Sequence, residues 1–353
     1  MTLTAEMTTN QGDQLTVMQP IDGDASGKNL LSMKQLSAED ICDYIKEAEA
    51  ADAIVRDPSR RGVALLPFVV LKAVMRQPST RTGGSMTTAM EKLGGSGQLI
   101  SGMGSSSEAK GESLADSWVA FATQSDILGI RMTEEEGPAR AAQAIASAFK
   151  RGDLLNFVPV INLGDGPNEH PTQALGDLYT IHKEFKSFEG LTIAVVGDQE
   201  RYRAHHSLMI GAAKLGMNII AVESPVALVP SELVESLGDS LTRTNDLDAA
   251  MEAANVLYLG RNPDEYTGAD SQEKKRSEEL AKAYASWTVD YDRLQKRMSP
   301  DSIVLHPRPR KNELQANVDD DPRMRDVVQM SNMIPMRMAI IARHLGKSIA
   351  GSV

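Results

Sequence analysis

Short runs of apolar residues recur along this chain, and longer segments with apolar positions at helical spacing lie between them. The short runs contain mostly Val, Ile and Leu, as parallel strands buried on both faces do. They predict strands at 66–74, 127–130, 158–162, 192–196, 219–222, 256–259 and 303–305. The intervening segments predict helices at 37–55, 85–93, 138–150, 171–185, 204–215 and 274–285. A last amphipathic segment, 333–345, has no strand after it and must dock elsewhere on the molecule.

The alternation of strands and helices predicts an α/β fold with two domains, each built on a mostly parallel sheet flanked by helices. A length of 353 residues is enough for two cores of ordinary size. A turn-forming cluster at 164–168 suggests a division in mid-chain, and a helix with proline in its first turn would carry the chain across it. We therefore predict a flexible N-terminal extension at 1–28, domains at 29–173 and 174–328, and a C-terminal helix within 329–353.

The net charge of -11 argues against nucleic acid or a membrane surface as the main partner, so an anionic substrate would need a local basic pocket. Cys42 is the single cysteine, which precludes an internal disulfide and indicates a reducing compartment. No apolar run approaches the ~18 residues of a membrane span, and the start of the chain lacks the apolar core of a signal peptide. We expect a cytoplasmic protein.

Segment 77–85 (QPSTRTGGS) predicts an anion site. It follows a buried strand and precedes a helix, and a helix N-terminus offers free backbone N–H groups and a partial positive charge. The hydroxyls of Ser79, Thr80 and Thr82 and the guanidinium of Arg81 would complete a cradle for a tetrahedral anion. Taken alone, the same residues also suit an ordinary capped helix start.

Segment 165–173 (DGPNEHPTQ) places His170 at a helix start, where the helix field should lower its pKa and where it could donate a hydrogen bond to a carbonyl. Gln173 lies one turn later on the same face and adds an amide. By itself, this segment fits a helix-capping histidine with a solvated glutamine equally well.

Two further segments follow strands in the second half of the chain. Segment 197–208 occupies the place of a dinucleotide-binding fingerprint, but G-x-G-x-x-G is absent, and Arg203 could instead hold a carboxylate. The adjacent His205 and His206 lack an acidic or cysteine partner at ligand spacing, so no metal site is expected. In 305–310 (LHPRPR), prolines lock a loop at the carboxyl end of a strand, where open α/β sheets bind ligands, although a rigid surface turn would look the same.

In this order and at these separations, the four segments resemble the aspartate and ornithine carbamoyltransferase family. The resemblance covers roughly residues 29–346. It is carried by Ser79-Thr80-Arg81-Thr82, by Gly164-Asp165-Gly166 with His170-Pro171-Thr172-Gln173, by Arg203 with His206-Ser207-Leu208, and by His306-Pro307 with Pro309-Arg310. The last two groups match the aspartate branch.

The resemblance implies transfer of the carbamoyl group of carbamoyl phosphate to the α-amine of L-aspartate, a step of pyrimidine biosynthesis, without a metal or organic cofactor. The first domain would bind carbamoyl phosphate and the second the amino acid, and the C-terminal helix would return to the first domain. The resemblance also implies a homotrimer whose active sites lie at subunit boundaries. Whether a regulatory subunit binds is not indicated.

The resemblance assigns residues to three tasks. These are Arg81, Thr82, Arg131 and His170 for catalysis; Ser79, Thr80, Arg81, Thr82, Arg131, His170 and Gln173, with Ser106 and Lys110 of a neighbouring subunit, for carbamoyl phosphate; and Arg203, Arg261, Pro307 and Arg308 for the amino acid. Lys110 would help to hold the phosphate, and Gln173 the carbamoyl NH2. Donors aimed at an oxyanion commonly contribute ~3–4 kcal/mol each, so most of the rate would come from proximity and electrostatics.

The acceptor is expected to be aspartate, because Arg203 and Arg261 match the family's pair of cationic clamps for two carboxylates. The ornithine branch has His-Cys-Leu-Pro where this chain has His-Pro-Arg-Pro. Four positions depart from the family pattern, with Gln77 for Glu, Gly83 for Arg, Pro263 for Gln and Arg308 for Leu. Arg308 could add a third positive charge for a more anionic substrate, or it could point to solvent.

Three other interpretations stay open on the sequence. The chain could carbamoylate a different acidic or N-modified amino acid. A non-catalytic relative, acting as a scaffold or regulatory subunit, would have lost a phosphate or carbonyl ligand, and this chain retains them. A nucleotide-binding α/β oxidoreductase would need the glycine fingerprint that is missing at Gly197.

Overall fold

The computed structural model describes residues 28–102, 112–261 and 271–352. The predictions for an N-terminal extension up to residue 27, for Ser106 and Lys110, and for Pro263 therefore lie outside the described residues. The described helices are α1 Ala38–Arg56, α2 Thr80–Lys92, α3 Leu114–Ala122, α4 Gly137–Arg151, α5 Pro171–Phe185, α6 Arg203–Lys214, α7 Ser231–Leu237, α8 Leu247–Ala253, α9 Ser271–Ser286, α10 Tyr291–Arg297 and α11 Asp326–His344. The strands are β1 Val70–Met75, β2 Ser96–Ser101, β3 Ile127–Met132, β4 Val160–Asp165, β5 Thr192–Val196, β6 Asn218–Val222, β7 Leu241–Thr244, β8 Val256–Leu259 and β9 Ile303–Leu305.

The strands form two sheets, and the predicted α/β class is confirmed. The first sheet has the strand order β2-β1-β3-β4, and the second has the order β7-β6-β5-β8-β9. Every pair of neighbouring strands in both sheets is parallel. Helices cover the sheets, as parallel sheets with apolar residues on both faces require.

Both strands that the apolar pattern did not predict, β2 and β7, lie at the edge of a sheet. Four of the six residues of β2 (SGQLIS) are exposed, and β7 (LTRT) has no buried residue. An edge strand is partnered on one side only, so it can be formed by residues that lack a continuous apolar run. The first strand was predicted to begin at residue 66, which is too early. Phe68 has a φ of 68°, and β1 begins at Val70.

The C-terminal helix α11 returns to the first half of the chain, as predicted. Near its end, Arg343 donates a hydrogen bond to Asp40 of α1 at 2.8 Å, and His344 Nε2 lies 2.9 Å from the Tyr44 hydroxyl. The prediction that this segment starts at 333 was wrong, because α11 starts at Asp326 and continues through Pro335. None of the helices in the described part of the chain is both long and apolar enough to cross a membrane.

Each sheet has one point at which the chain reverses its direction of travel across the sheet. In the first sheet the chain moves outward from β1 to β2 and then returns to β3 on the other side of β1. In the second sheet it moves from β5 through β6 and β7 and then returns to β8 on the other side of β5. Helices leave neighbouring strands in opposite directions at such a point, which opens a crevice at the carboxyl ends of the strands. The site is therefore expected after β1 and β3, and after β5 and β8.

Candidate active site

The segment after β1 forms the N-terminus of α2 itself. Ser79 is the N-cap of this helix, and its hydroxyl accepts a hydrogen bond from the backbone N–H of Thr82 at 3.3 Å. The helix therefore begins at Thr80, and the predicted start at residue 85 was wrong. The hydroxyls and the guanidinium of this segment thus stand on the first turn, where unpaired N–H groups and the helix dipole favour an anion.

Gly83, where the family usually has Arg, is buried inside this first part of α2. A Cβ atom at this position would lie 2.5 Å from Leu99 Cδ1 of β2 and 3.1 Å from Met75 Cε of β1. The close packing of the helix against the edge strand thus leaves no room for a side chain unless Leu99 moves.

Two guanidiniums meet around Gly164 at the end of β4. Arg131, in β3, donates from Nη1 to the carbonyl of Leu163 at 3.3 Å. Gly164 has a φ of 121°, and a Cβ atom on it would lie 3.1 Å from Arg131 Nη1 and 3.0 Å from Arg203 Cζ. Only glycine combines this backbone conformation with space for both side chains. The glycine therefore lets a cation from each sheet approach the same place.

His170 is the N-cap of α5, followed by Pro171 at the first helical position. Its backbone N–H donates to the Ser207 hydroxyl at 2.9 Å, which fixes the residue against α6. Burial, and then the positive charges of Arg131, Arg203 and Arg337, hold the pKa of His170 well below its usual value of 6.5. The imidazole is therefore neutral at pH 7, and it can donate a hydrogen bond without carrying a charge.

Arg203, the first residue of α6, spans the two sheets and is buried. Its Nη1 donates to the carbonyl of Gly166 at 2.9 Å, and its Nη2 donates to Gln77 Oε1 at 2.5 Å. Gln77, which replaces the family's usual Glu, thus supplies an acceptor without a negative charge. Arg203 is oriented by both contacts and keeps its net charge at the cavity.

The loop after β9 adds backbone and side-chain groups from the second sheet. The carbonyl of Arg308 accepts a hydrogen bond from Arg81 Nη2 at 2.7 Å. The guanidinium of Arg308 pairs with the buried carboxylate of Asp326, and a second carboxylate oxygen, of Asp319, lies 3.9 Å away. Arg308 is therefore not an uncompensated third charge for the substrate, and it does not simply point to solvent.

The predicted residues that the structure describes converge on one cavity of about 270 Å³, with the exception of Thr80. Those in its lining are Ser79, Arg81, Thr82, Arg131, His170, Gln173, Arg203, Arg261, Pro307 and Arg308. Thr80 is exposed on the first turn of α2 and does not line the cavity. The cavity is the local basic pocket that an anionic substrate requires inside an acidic protein.

Helix α11 supplies lining residues that the sequence analysis did not identify. Gln329, Met333 and Arg337 are spaced by four residues, so they form one line along the helix, and all three border the cavity. Arg337 is 2% exposed, and among the described residues its Nε has no hydrogen-bond partner. A signal was present in the sequence, because Arg337 interrupts an apolar run from Met333 to Ile341. Within the described ranges, no group of three or more His, Cys, Asp or Glu residues could hold a metal ion.

Comparison with known proteins places this geometry in a family. Residues 28–183 match the family model described as aspartate/ornithine carbamoyltransferase, carbamoyl-P binding domain. Residues 189–343 match the model described as aspartate/ornithine carbamoyltransferase, Asp/Orn binding domain. The aspartate carbamoyltransferase catalytic subunit of Thermoplasma acidophilum is 34% identical over 322 residues, which cover 90% of this chain and 98% of that protein. The catalytic subunit of Methanocaldococcus jannaschii is 33% identical over 327 residues, covering 90% and 97%.

Solved structures agree with the sequence comparisons. Aspartate transcarbamoylase of Trypanosoma cruzi, in complex with carbamoyl phosphate and aspartate, superposes with a TM-score of 0.79 at 30% identity, covering 91% of this chain and 98% of that one. The catalytic subunit of the Methanocaldococcus jannaschii enzyme superposes with a TM-score of 0.75 at 32% identity, covering 89% and 96%. The resemblance noted in the four segments is thereby confirmed, and the chain belongs to the aspartate/ornithine carbamoyltransferase family.

Proposed function

We propose that this enzyme transfers the carbamoyl group of carbamoyl phosphate to the α-amine of L-aspartate, giving N-carbamoyl-L-aspartate and phosphate. The observation that carries the proposal is the single cavity in which the crevices of both sheets meet, lined by Arg81, Arg131, Arg203 and Arg261. Carbamoyl phosphate carries a phosphate and aspartate carries two carboxylates, so both substrates are anions that suit a cationic lining. Relatives named as aspartate carbamoyltransferases support aspartate over a different acceptor.

We call the residues after β1, β3 and β4 the donor half of the cavity. The start of α2, with Ser79, Thr80, Arg81 and Thr82, would bind the phosphate together with Arg131. The side chain of Thr80 is outside the cavity lining, so Thr80 would contribute only through its backbone N–H in the first turn of α2. Thr82, Arg131 and His170 would donate to the carbonyl oxygen, and Gln173 would bind the carbamoyl nitrogen.

The reaction follows from these positions. The deprotonated α-amine attacks the carbonyl carbon, and the carbonyl oxygen becomes an oxyanion. When the carbonyl re-forms, the carbon–oxygen bond to phosphate breaks, and the attacking nitrogen gives up its extra proton to the departing phosphate. Arg131 and neutral His170 both donate toward charge that develops during this step, which stabilises the transition state more than the ground state. Holding the amine beside the carbonyl carbon removes the entropy cost of bringing two molecules together during the step.

We call the residues after β5, β8 and β9 the acceptor half. Arg203 and Arg261 would each bind one carboxylate of aspartate, and the backbone of Pro307 and Arg308 would face its amine. Because the guanidinium of Arg308 is neutralised by Asp326, it adds no third charge to Arg203 and Arg261, which match two carboxylates. This match favours aspartate over a more anionic acceptor.

The Arg81 side chain joins the two sides of the cavity, because its Nη2 donates to the carbonyl of Arg308 at 2.7 Å. The other N–H donors of the guanidinium remain for a phosphate, and a two-point contact with the phosphate would compete with the contact to Arg308. Binding of carbamoyl phosphate would draw Arg81 to the donor half and release the Arg308 carbonyl. That carbonyl would then be available to accept a hydrogen bond from the amine of aspartate.

We further propose that the enzyme is a homotrimer located in the cytoplasm and acting in pyrimidine biosynthesis. The donor half then lies in a first domain, 29–173, and the acceptor half in a second, 174–328. Ser106 and Lys110 of a neighbouring subunit would complete the phosphate site. The absence of a second cysteine in the sequence supports a reducing compartment. Full activity in a demonstrated monomer would contradict the trimer.

The reaction is tested by incubating the enzyme with carbamoyl phosphate and a panel of amino acids, and by identifying carbamoylated products by mass spectrometry. We expect N-carbamoyl-aspartate to dominate. The Arg81→Ala variant serves as the negative control, because it keeps the acceptor half but lacks a phosphate ligand. Product from another amino acid, with none from aspartate, would show that the acceptor assignment is wrong.

A further inference from the structure

Asp177 lies one turn after Gln173 on α5, and its carboxylate is fully buried. Three side chains donate hydrogen bonds to it. Gln173 Nε2 and Gln329 Nε2 donate to Oδ1 at 2.8 and 2.6 Å, and the Tyr258 hydroxyl donates to Oδ2 at 2.8 Å. These residues come from α5, α11 and β8, so one carboxylate joins three distant parts of the chain.

The contact with Asp177 sets the orientation of the Gln173 amide. An ionised carboxylate can only accept hydrogen bonds, so the nitrogen of the amide has to face Asp177. The amide oxygen then points away from Asp177, and Gln173 is part of the cavity lining. The two ends of an amide have almost the same shape, so packing alone does not choose between the two orientations. The hydrogen bond to the carboxylate of Asp177 selects the orientation in which the amide nitrogen faces that carboxylate.

We propose that Asp177 is a positioning residue that presents the oxygen of the Gln173 amide to the cavity and thereby makes the enzyme select a carbamoyl over an acetyl group. The inference rests on the proposed function, because it takes Gln173 as the partner of the carbamoyl NH2. Acetyl phosphate has the same phosphate and the same carbonyl, but it carries a methyl group in place of the NH2. A site built to accept from an NH2 rejects the analogue that lacks it, because the buried acceptor is left unsatisfied.

Asp177 also orients a second amide. Gln329 donates to Asp177 with its nitrogen, and its oxygen accepts from the backbone N–H of His306 at 2.9 Å. His306 begins the loop that carries Pro307 and Arg308 into the acceptor half. A change at Asp177 therefore disturbs both halves of the cavity, and an overall loss of activity would not by itself identify its role. The ratio of the affinities for carbamoyl phosphate and acetyl phosphate reports on the Gln173 amide alone, because the two compounds differ only in the group that this amide would contact.

The groups that face Asp177 indicate how this preference depends on pH. Burial raises the pKa of Asp177 to about 7, while the hydrogen bonds from Gln329, Tyr258 and Gln173 and the charge of Arg337 oppose that rise. Burial holds the pKa of Tyr258 well above 10 and lowers that of Arg337 to about 10, so neither of them titrates near pH 7. Below pH 7, Asp177 gains a proton and becomes a donor at one oxygen, which weakens its hold on the amide nitrogen of Gln173. The preference is therefore present above pH 7 and declines as the pH falls through that value.

The experiment measures the dissociation constants of carbamoyl phosphate and acetyl phosphate by titration calorimetry with the full-length enzyme. In Asp177→Leu we expect the preference for carbamoyl phosphate to fall roughly tenfold, the usual effect of one lost hydrogen bond to a buried group. Asp177→Asn, which retains an acceptor oxygen, should restore part of the preference. Tyr258→Phe is the matched control, because it removes a buried hydrogen bond to Asp177 without touching the Gln173 amide. Since that hydrogen bond lowers the pKa of Asp177, its loss raises the pKa further, and this variant should keep the preference only well above pH 7.

A preference that stays at the wild-type value in Asp177→Leu would overturn the inference, as would an equal weakening of both donors. If this variant does not fold, the wild-type enzyme is titrated from well above pH 7 to well below it, and the ratio of the two dissociation constants is followed. The shared phosphate and carbonyl contacts cancel in this ratio, so a flat ratio would also overturn the inference. Turnover of carbamoyl phosphate and aspartate by the wild-type enzyme is recorded in parallel. Without turnover the proposed function fails, whereas turnover with an unresponsive ratio refutes only the role of Asp177.

Discussion

The donor half and the acceptor half follow the same topological rule, but they differ in what holds their polar groups. In the donor half, Ser79 and His170 are the N-cap residues of α2 and α5, so the backbone at two helix starts positions these two groups, whereas Gln173 is held by Asp177. In the acceptor half, charged groups are held by other parts of the protein, as Arg203 is by Gln77 and Arg308 is by Asp326. A helix end is rigid, whereas a side-chain contact can exchange its partner.

This difference predicts which substitutions lower kcat and which raise KM for aspartate. Loss of a rigid donor that meets the developing oxyanion removes stabilisation of the transition state, and kcat falls. Loss of a clamp that holds a carboxylate equally in the ground state and the transition state raises KM for aspartate. The four substitutions below test the comparison, in order of decreasing expected effect.

The largest effect is expected for His170→Ala. It removes a neutral donor aimed at the carbonyl oxygen, and kcat should fall by about 10²–10³. Steady-state kinetics with both substrates measure the change, and an unchanged thermal unfolding midpoint shows that α5 is intact. A kcat close to that of the wild type would place His170 outside the reaction.

Arg261→Ala should act on the acceptor half. Losing a charge-assisted hydrogen bond to a carboxylate costs ~1.5–3 kcal/mol, so KM for aspartate should rise by roughly 10–100-fold. The affinity for carbamoyl phosphate, followed by the shift in unfolding temperature on binding, should stay the same. A weaker donor affinity would show that the two halves are not separable at this residue.

A smaller rise in KM for aspartate, roughly tenfold or less, is expected for Gln77→Leu, because Arg203 loses one oriented acceptor but keeps its contact with Gly166. The matched variant is Gln77→Glu, which restores an acceptor at the same place. If kcat falls while KM is unchanged, Gln77 acts on the chemical step and not on the orientation of Arg203.

The smallest effect is expected for Asp326→Asn, which leaves the charge of Arg308 less compensated. The enzyme should then bind an acceptor with a third carboxylate, such as β-carboxyaspartate, better relative to aspartate. The ratio should change by a few-fold at most, because Asp319 can partly replace the lost partner. Competition kinetics with the two acceptors measure this ratio, and an unchanged ratio would mean that Arg308 does not influence acceptor charge.

Local signals in the sequence predicted much of the fold. The helix predicted at 37–55 agrees closely with α1, and its start is marked by a local signal, the reciprocal capping box of Ser37 and Asp40. The bounds of α5, β5, β8 and β9 also agree with the apolar pattern and its terminators. A cap or an apolar run depends on a few neighbouring residues, so it can be identified without knowing the rest of the molecule.

Other features were not predicted from the sequence, because they depend on residues that are distant in the chain. Edge strands β2 and β7 are held by one neighbouring strand and carry polar, exposed residues. The early start of α11 brings Gln329 to the cavity, although Pro335 inside the helix argues against a long helix at this place. In both cases packing against the remainder of the molecule overrides the local preference.

The sequence by itself determined the α/β class, the family, and four of the segments that line the cavity, because strand ends and helix starts are set by residues close together in the chain. The tertiary structure alone decided the charge state of these groups. His170 is neutral because it is buried and because three arginines from other elements oppose its protonation, Arg308 is neutralised by Asp326, and Asp177 receives donors from α5, β8 and α11. Electrostatic energy depends on distances between atoms in space, and residues far apart in sequence set those distances only after the chain has folded.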